Sequence, residues 1–288
     1  LRESDLNDLV FVGLIALSDP LRADVKEAIA LTRRAGIRTI MITGDHCRTA
    51  QSIARELDLR CDDAQMVDGA QLEKISDEQL RETVKGACVF ARVDPKHKIR
   101  IVRALRANGE VVAMTGDGVN DAPALKGADV GVALGSGTDV AKEISDMVLL
   151  NDDFSTIVAA VEEGRGIYQN IKKVILYLLV GSMTEVVLIA GSIIAGLPLA
   201  ILPVQILWTN LVQETFPALA LPFDRGDGEN MSDPPRKKAA FLIDKEMKAM
   251  MLMMMLVSNA VLFIIFLYFY NTTRDIALAR TMMFAGLG

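Results

Sequence analysis

The spacing of apolar residues changes partway along this chain. Before Lys172 they fall in short, β-branched runs, separated by stretches where they recur every three or four positions. After Val174 they form long, almost uncharged blocks. Short buried runs alternating with amphipathic stretches predict parallel strands linked by helices. Long uncharged blocks predict helices that cross a membrane.

Taken in order, Leu9 to Leu17 reads as a buried strand, ended by Asp19-Pro20-Leu21-Arg22. Pro20 suits the first turn of a helix. Ala23 to Ala35 has helical spacing, and Gly36 terminates it. Arg38 to Ile42 is the next strand and runs into Thr43-Gly44-Asp45, with a helix following to about Leu57. Ser76 to Gln79 spells a capping box that opens a helix to about Lys85. Cys88 to Val93 is a strand, and Asp94-Pro95 starts a helix bearing Lys96, Lys98, Arg100, Arg103 and Arg106. Val111 to Met114 is the central strand, and Val130 to Leu134 and Met147 to Leu150 are two shorter ones. The expected fold class is α/β and Rossmann-like, a doubly wound and mostly parallel sheet over residues 1–170.

Asp153 is expected to cap a helix that runs from Phe154 through Arg165 and Tyr168 to Lys172-Lys173. The α-helical transmembrane region, residues 171–288, follows. Val174 to Leu197 holds one charged residue, Glu185; Pro198 to Phe223 holds one, Glu214; Ala249 to Tyr270 holds none. Each block can cross a hydrocarbon core of ~30 Å as a helix, and a partial fourth begins near Ala277. Basic residues at Lys172, Lys173, Arg236, Lys237, Lys238, Lys245 and Lys248 flank the blocks on one side, while Gly196 to Leu199 has none. The positive-inside rule then predicts a cytoplasmic α/β domain.

Composition adds exclusions. At 288 residues with net charge −6, the chain is not expected to bind nucleic acid. Cys47, Cys61 and Cys88 form no CxxC pair, which fits a reduced setting and no cysteine metal site; His46 and His97 look isolated. There is no N-terminal signal segment, and the opening residues read as a piece of a larger protein.

Two chemistries stand out. The first is Thr115 to Leu125, TGDGVNDAPAL, directly after the central strand. Ligands of open α/β sheets bind at the carboxyl ends of strands. Asp117 and Asp121 at such a turn suit Mg2+. Thr43 and the amides around Gly44, at the end of another strand, would grip a phosphoryl group, and Lys98 could neutralise it. Phosphoryl transfer asks mainly for such positioning and neutralisation. The plainer alternatives are a Gly/Asp-rich helix cap, a solvated lysine, and for Arg22 an ion pair with a local carboxylate. The second chemistry lies in the membrane. Glu185 sits about 16 Å past Val174 at ~1.5 Å per residue, near mid-bilayer, with Ser182 on its face. Asn210, Gln213 and Glu214 share a face of the next block, which Pro203 and Pro217 interrupt, freeing carbonyls. Together they make an oxygen-rich cage for a transported hard cation. Helix packing through hydrogen bonds is the plainer reading.

TGDGVNDAPAL, with the upstream MITGD, DPLR and ARVDPKHK, resembles the P-type ATPases, whose phosphorylation domain is of the haloacid dehalogenase type. The resemblance implies ATP and Mg2+ as cofactors, Asp117 as the Mg2+ ligand with Asp121 supporting it, and Thr43, Gly44 and Asp45 in the phosphate and nucleotide pocket. It gives Asp45 a part in dephosphorylation and lines the pocket with Arg92, Lys98 and Asn120. LPVQILWTNLVQETFPALAL resembles the sixth span of the calcium-pump-like branch, with Asn210 and Glu185 kept. Ser182 stands where that group has Asn, and Gln213-Glu214 where it has Thr-Asp, so Ca2+ shares the field with Mn2+, Na+, K+ and H+. The Asp-Lys-Thr-Gly-Thr motif that carries the aspartyl phosphate is absent, so the missing N-terminal part of the pump is an implied partner, beside the lipid bilayer. The expected place is the plasma membrane. Two other readings are a membrane-anchored phosphatase of the same superfamily and a regulatory piece that associates with a full pump; an anchor has no use for Glu185 and Glu214.

Overall fold

The computed structural model describes residues 10–13, 15, 20–59, 61–224, 229–236, 238 and 241–287. The expected strand from Leu9 to Leu17 lies largely outside them. Its described members Val10, Phe11, Val12 and Ile15 are exposed and pair with no strand. Asp19 and Lys237 also lie outside the described residues.

The first helix, α1, spans Val25–Arg34, so Pro20 precedes it rather than opening it. Gly36 ends it at φ +74°, a conformation that glycine adopts without a Cβ penalty. There follow β1 (Met41–Ile42), α2 (Cys47–Glu56), β2 (Met66–Asp68), α3 (Gly69–Leu72), α4 (Asp77–Gly86), β3 (Val89–Ala91) and α5 (Pro95–Ala107). The Ser76 capping box forms as expected: Gln79 N donates to Ser76 Oγ at 3.3 Å, and Ser76 N donates to Gln79 Oε1 at 2.9 Å. Then come β4 (Ala113–Gly116), α6 (Ala122–Gly127), β5 (Val130–Leu134), α7 (Asp139–Ile144) and β6 (Met147–Leu149). The β2–α3 pair and α7 have no counterpart in the sequence reading.

The strands are all parallel but form two sheets of three, ordered β1-β3-β2 and β4-β5-β6, rather than one. Helix α5 joins them. Its Ile101, Ala104 and Leu105 pack with Phe90 and Val93 in one core, while Val102 packs with Met114 and Ala133 in the other. Its basic residues bind it to its surroundings. Lys96 pairs with Glu73, Arg100 with Asp77 at 2.8 Å, and Arg106 with Asp129 at 3.2 Å.

Cys61 and Cys88 lie side by side: the chain entering β2 runs beside the chain entering β3, Cys88 N donates to Gln65 O at 3.0 Å, and the two Cα atoms are 6.2 Å apart. Arg22 does form an ion pair, with Asp152 at 3.5 Å, far away in sequence rather than local.

The helix expected to end at Lys173 and the first membrane block are one continuous helix, α8, Ser155–Ile194. Asp153 does not cap it. Asp24 does, its Oδ2 accepting Ser155 N at 3.1 Å. The second block is broken: α9 (Pro203–Trp208), a π-helical segment (Thr209–Glu214) and α10 (Thr215–Ala220). The third is α11, Lys245–Thr273, capped by Asp244, whose Oδ1 accepts Met247 N at 2.8 Å. The fourth is α12, Ile276–Leu287. By length and composition α8 and α11 can each cross a bilayer. Leu188, Ala200, Ile201, Leu262, Phe266, Ala279 and Met283 form the core among these helices.

Candidate functional site

Two strand ends build the polar site of the α/β part. Beyond β1, Thr43 continues the ladder: its N–H reaches Phe90 O at 2.9 Å, and its carbonyl accepts Val93 N at 3.0 Å. The Thr43 hydroxyl donates to Asp45 Oδ2 at 2.9 Å and accepts Asp45 N at 3.1 Å. Arg92, at φ +51°, donates its N–H to Asp45 O at 2.9 Å. Thr43, Asp45 and Arg92 therefore form one closed turn. Gly44 lies on its open side, where an added Cβ would meet nothing within 4 Å.

Beyond β4 the chain makes a second turn. A Cβ on Gly116 would sit 2.6 Å from Asp121 Cβ, so the glycine is what lets Asp121 fold back under the loop. Asp121 is 6% exposed, and Lys98 Nζ lies 2.5 Å from its Oδ1. Helix α5 starts at Pro95, three residues beyond Arg92, and so delivers Lys98 from the first turn to the second. The sequence reading had Lys98 free to meet phosphate; here it first balances a buried carboxylate. Asp117 is anchored by its main chain, its O accepting Thr138 N at 2.8 Å, while its side chain is exposed. Among the described residues the Asp117 carboxylate has no hydrogen-bond or ion-pair partner. Asn120 is exposed on the short 3-10 turn Val119–Asp121. An open carboxylate backed by a second one, all oxygen, fits a hard divalent ion.

His97, read as isolated, is not. It is 2% exposed, its Nδ1 accepts Asp94 N at 3.2 Å, and its Nε2 stands 3.0 Å from Glu73 Oε1. Ligand atoms of Glu73, Asp94 and His97 lie within 4.8 Å of one another. With Nδ1 spent on the helix start, the group works as the N-terminal cap of α5.

In the membrane part Glu185 and Glu214 are both buried, at 6% and 8% exposure. Asn210 Nδ2 donates to Glu185 Oε2 at 3.4 Å, while Glu185 Oε1 is buried without a partner. Gln213 Oε1 is buried and unpartnered too. The Glu214 carboxylate rests on the backbone of Gly181 on α8; an added Cβ there would lie 1.9 Å from Glu214 Oε1. The structure thus joins Glu185 with Asn210, and brings Glu214 onto the same helix one turn away. Ser182, expected on the same face, is exposed instead.

The π segment explains the arrangement on the second span. Pro217 has no N–H to give the carbonyl of Gln213, and Tyr177 on α8 supplies the donor instead, with its Oη 3.1 Å from Gln213 O. Thr215 Oγ1 donates to Asn210 O at 3.0 Å, five residues back. π turns of this kind recur at functional sites. The carbonyls that the two prolines free are both taken by side chains: Gln213 O by Tyr177, and Leu199 O by Arg280 Nε at 2.8 Å. Tyr177, Gly181 and the buried Asn259 on α11 escaped the sequence reading, which searched the blocks for charge. Asn259 is the sole amide in a charge-free block, and that was the available signal.

Comparison with known proteins matches the two ends of the chain to different families. Residues 3–129 match a family of haloacid dehalogenase-like hydrolases, and residues 99–161 match a second model of that description. Residues 198–288 match the family described as the C-terminus of cation-transporting ATPases. A calcium-transporting ATPase of Bacillus subtilis is 45% identical over 97% of this chain and 32% of its own length. Calcium-transporting ATPase 1 of Bacillus cereus is 51% identical over 80% of the chain and 26% of its length. An endoplasmic reticulum-type calcium-transporting ATPase of Arabidopsis thaliana is 50% identical over 82% and 23%. The chain therefore spans a third or less of the length of these relatives. It is the chain of a membrane protein. With a haloacid dehalogenase-like part, a cation-transporting ATPase C-terminal part and these relatives all meeting on it, the chain belongs to the P-type cation-transporting ATPases, on the branch of the calcium pumps.

Proposed function

We propose that this chain supplies the latter part of the phosphorylation domain and a run of membrane spans to an ATP-driven cation pump that works through an aspartyl phosphate. The division falls near residues 170 and 171, within α8. The chain contains no Asp-Lys-Thr-Gly-Thr, so the phosphorylated aspartate comes from the rest of the pump. Among the described residues strands β1 and β4 each have one neighbour, and they carry the two TGD turns at their carboxyl ends. A strand bearing that aspartate would pair between them.

In this reading Thr43 and the exposed Gly44 turn hold the phosphoryl group, Arg92 and Asn120 line the nucleotide side, and Asp45 serves dephosphorylation. Asp117 and Asp121 are the residues that would hold Mg2+, which when bound neutralises charge on the phosphoryl oxygens. Lys98 pairs with the buried Asp121 and adds positive charge beside the phosphate. The α/β domain lies in the cytoplasm of a plasma-membrane protein, as the flanking basic residues suggest.

The observation that carries the reading is Glu185: a buried carboxylate in mid-span, held by Asn210 through one oxygen and open at the other. With Gln213, Glu214 and, on helix movement, Ser182, it forms the cargo site. The relatives' names make Ca2+ the first candidate cargo. Glu214 is one methylene longer than the aspartate of that group, so other hard cations stay in contention. The test is Glu185→Gln in the full-length protein. Phosphorylation by ATP should lose its dependence on the cation, whereas phosphorylation by inorganic phosphate in cation-free medium should persist. A membrane-anchored phosphatase would show no change in either assay, and that result would end the transport reading.

A further inference from the structure

Among the described residues four buried side-chain atoms lack a hydrogen-bond partner: Tyr168 Oη, Glu185 Oε1, Gln213 Oε1 and Asn259 Oδ1. A buried polar atom with no partner calls for an explanation, and an unseen ion or water is one. Glu185 and Gln213 already belong to the proposed cargo site. Asn259 does not. It lies on α11, the third span, at 5% exposure. Its Nδ2 donates to Met255 O at 2.8 Å, which spends a donor on its own helix and leaves the amide oxygen with nothing to accept.

The depth of Asn259 follows from how α11 lies along α8. Lys172 Nζ, midway along α8, pairs with Asp244 Oδ2 at 2.6 Å at the start of α11. Met183 and Met255 line one cleft further along. Beyond that, Phe263 packs on Gly191, its ring carbon 2.7 Å from where a Cβ would be. These three pairs share one sequence offset, so the helices run parallel in a single register. On that register Asn259 is level with Val187, between Glu185 and Leu188. On the same register α8, which carries Glu185, runs beside Asn259 at its own depth.

We propose that Asn259 is an oxygen donor of the intramembrane cation site, contributed by the third span, its amide oxygen taking the ion directly or through one bound water at the level of Glu185. The proposal rests on the reading of Glu185 as a cation ligand. Its chemistry is that of a hard cation. Calcium-sized ions take about 6–8 oxygens, and the side chains from α8 and the π segment offer few. A neutral amide oxygen raises the number of ligands without adding charge, so it tunes selectivity between large and small hard cations more than total charge balance.

The experiment uses the full-length protein and measures the Ca2+ and Mn2+ concentrations that half-activate phosphorylation by ATP. Phosphorylation by inorganic phosphate in cation-free medium reports the intact fold. Asn259→Leu keeps the branching of the side chain and leaves no orphaned polar atom, so it should preserve the phosphorylation by inorganic phosphate. It should raise the half-activating concentration on the order of ten-fold, with Ca2+ and Mn2+ affected unequally. Asn259→Asp, which restores an oxygen and adds charge, should return the concentration toward that of the unaltered protein. Should the leucine variant lose phosphorylation by inorganic phosphate, Asn259→Ala takes its place in the same assays. Unchanged activation in the leucine or alanine variant, while Glu185→Gln abolishes it, would overturn the role of Asn259 and leave the cargo site standing. A shift that Asn259→Asp fails to rescue would also overturn it, as the mark of packing alone. If neither Glu185→Gln nor Asn259→Leu altered activation, the cargo site itself would fall, and Asn259 with it.

Discussion

The α/β part and the membrane part treat their polar side chains in opposite ways. Around α5 four charged pairs form: Lys96 with Glu73, Lys98 with Asp121, Arg100 with Asp77, Arg106 with Asp129. Beside them Asp117, exposed at the end of β4, has no partner among the described residues. Around α8 the conspicuous groups are buried instead, and Glu185, Gln213 and Asn259 each keep an oxygen without a donor. In water an idle carboxylate costs nothing, so being unpaired means something only at a strand end built to receive a ligand. In the bilayer no water relieves an idle oxygen, so burial without a partner is itself the mark of a missing ligand.

The largest expected effect tests the exposed side of this contrast. Asp117→Asn in the full-length protein should cut Mg2+-dependent phosphorylation by ATP on the order of 10²-fold or more. Wild-type phosphoenzyme at limiting Mg2+ would make Asp117 an ordinary surface residue. This chain by itself should retain no acid-stable label from ATP, since it has no Asp-Lys-Thr-Gly-Thr; label surviving an acid quench would break the assignment of the nucleophile.

Lys98→Met comes next, because it strands the buried Asp121 charge. A loss of about 3 kcal/mol is expected, read as a lower urea midpoint for the α/β part, and Lys98→Met with Asp121→Asn should recover much of it. Failure of that recovery would mean that the pair is not structural. Tyr177→Phe probes the membrane side by leaving Gln213 O without its donor. The expected loss is about 1 kcal/mol, seen as a lower thermal midpoint in detergent. An unaltered midpoint would mean that the π segment holds its shape without Tyr177.

Asp244 gives the smallest effect and the only one in pH. The hydrogen bond from Lys172, and then that from Met247 N–H, hold its carboxyl below the ordinary range. A lowered carboxyl stabilises the folded state above its unfolded value of about 3.9, and the contribution disappears as pH falls through the lower folded value. Asp244→Asn should therefore be less stable at neutral pH, and its profile should meet that of the unaltered protein in acid. Parallel profiles at all pH values would show that the Lys172 pair contributes nothing.

What was legible in the sequence had local causes. Val130–Leu134 appears as read, since a β-branched run between turns leaves little choice, and Ser76 and Gln79 write their own cap. The two TGD turns were recognisable because glycine and aspartate at a strand end have few other uses. The strand Met66–Asp68 was missed because three residues cannot show alternation. Long-range causes were invisible too: nothing near Ser155 announces that Asp24 caps α8, and nothing near Lys98 announces Asp121. The π segment escaped because its apolar period resembles that of an α-helix, although Pro203 and Pro217 bracketed it. In the membrane the search for charge found Glu185 and Glu214 and passed over Asn259, whose importance lies in an unmet hydrogen bond rather than in a charge.

The unbroken course of α8 has a consequence for how far influence can travel. Its 40 residues measure about 60 Å at ~1.5 Å per residue. The end fastened to Asp24 stands roughly 45 Å from Glu185 by the same measure. In physiological salt the field of a charge in water fades over about 8 Å. Gain or loss of a phosphoryl charge at one end is therefore electrically silent at the other. A stiff rod clamped at its tip carries a different signal, since a tilt or a push applied at Ser155 arrives at Glu185 as displacement. Whatever passes between the two ends along this helix must pass as movement.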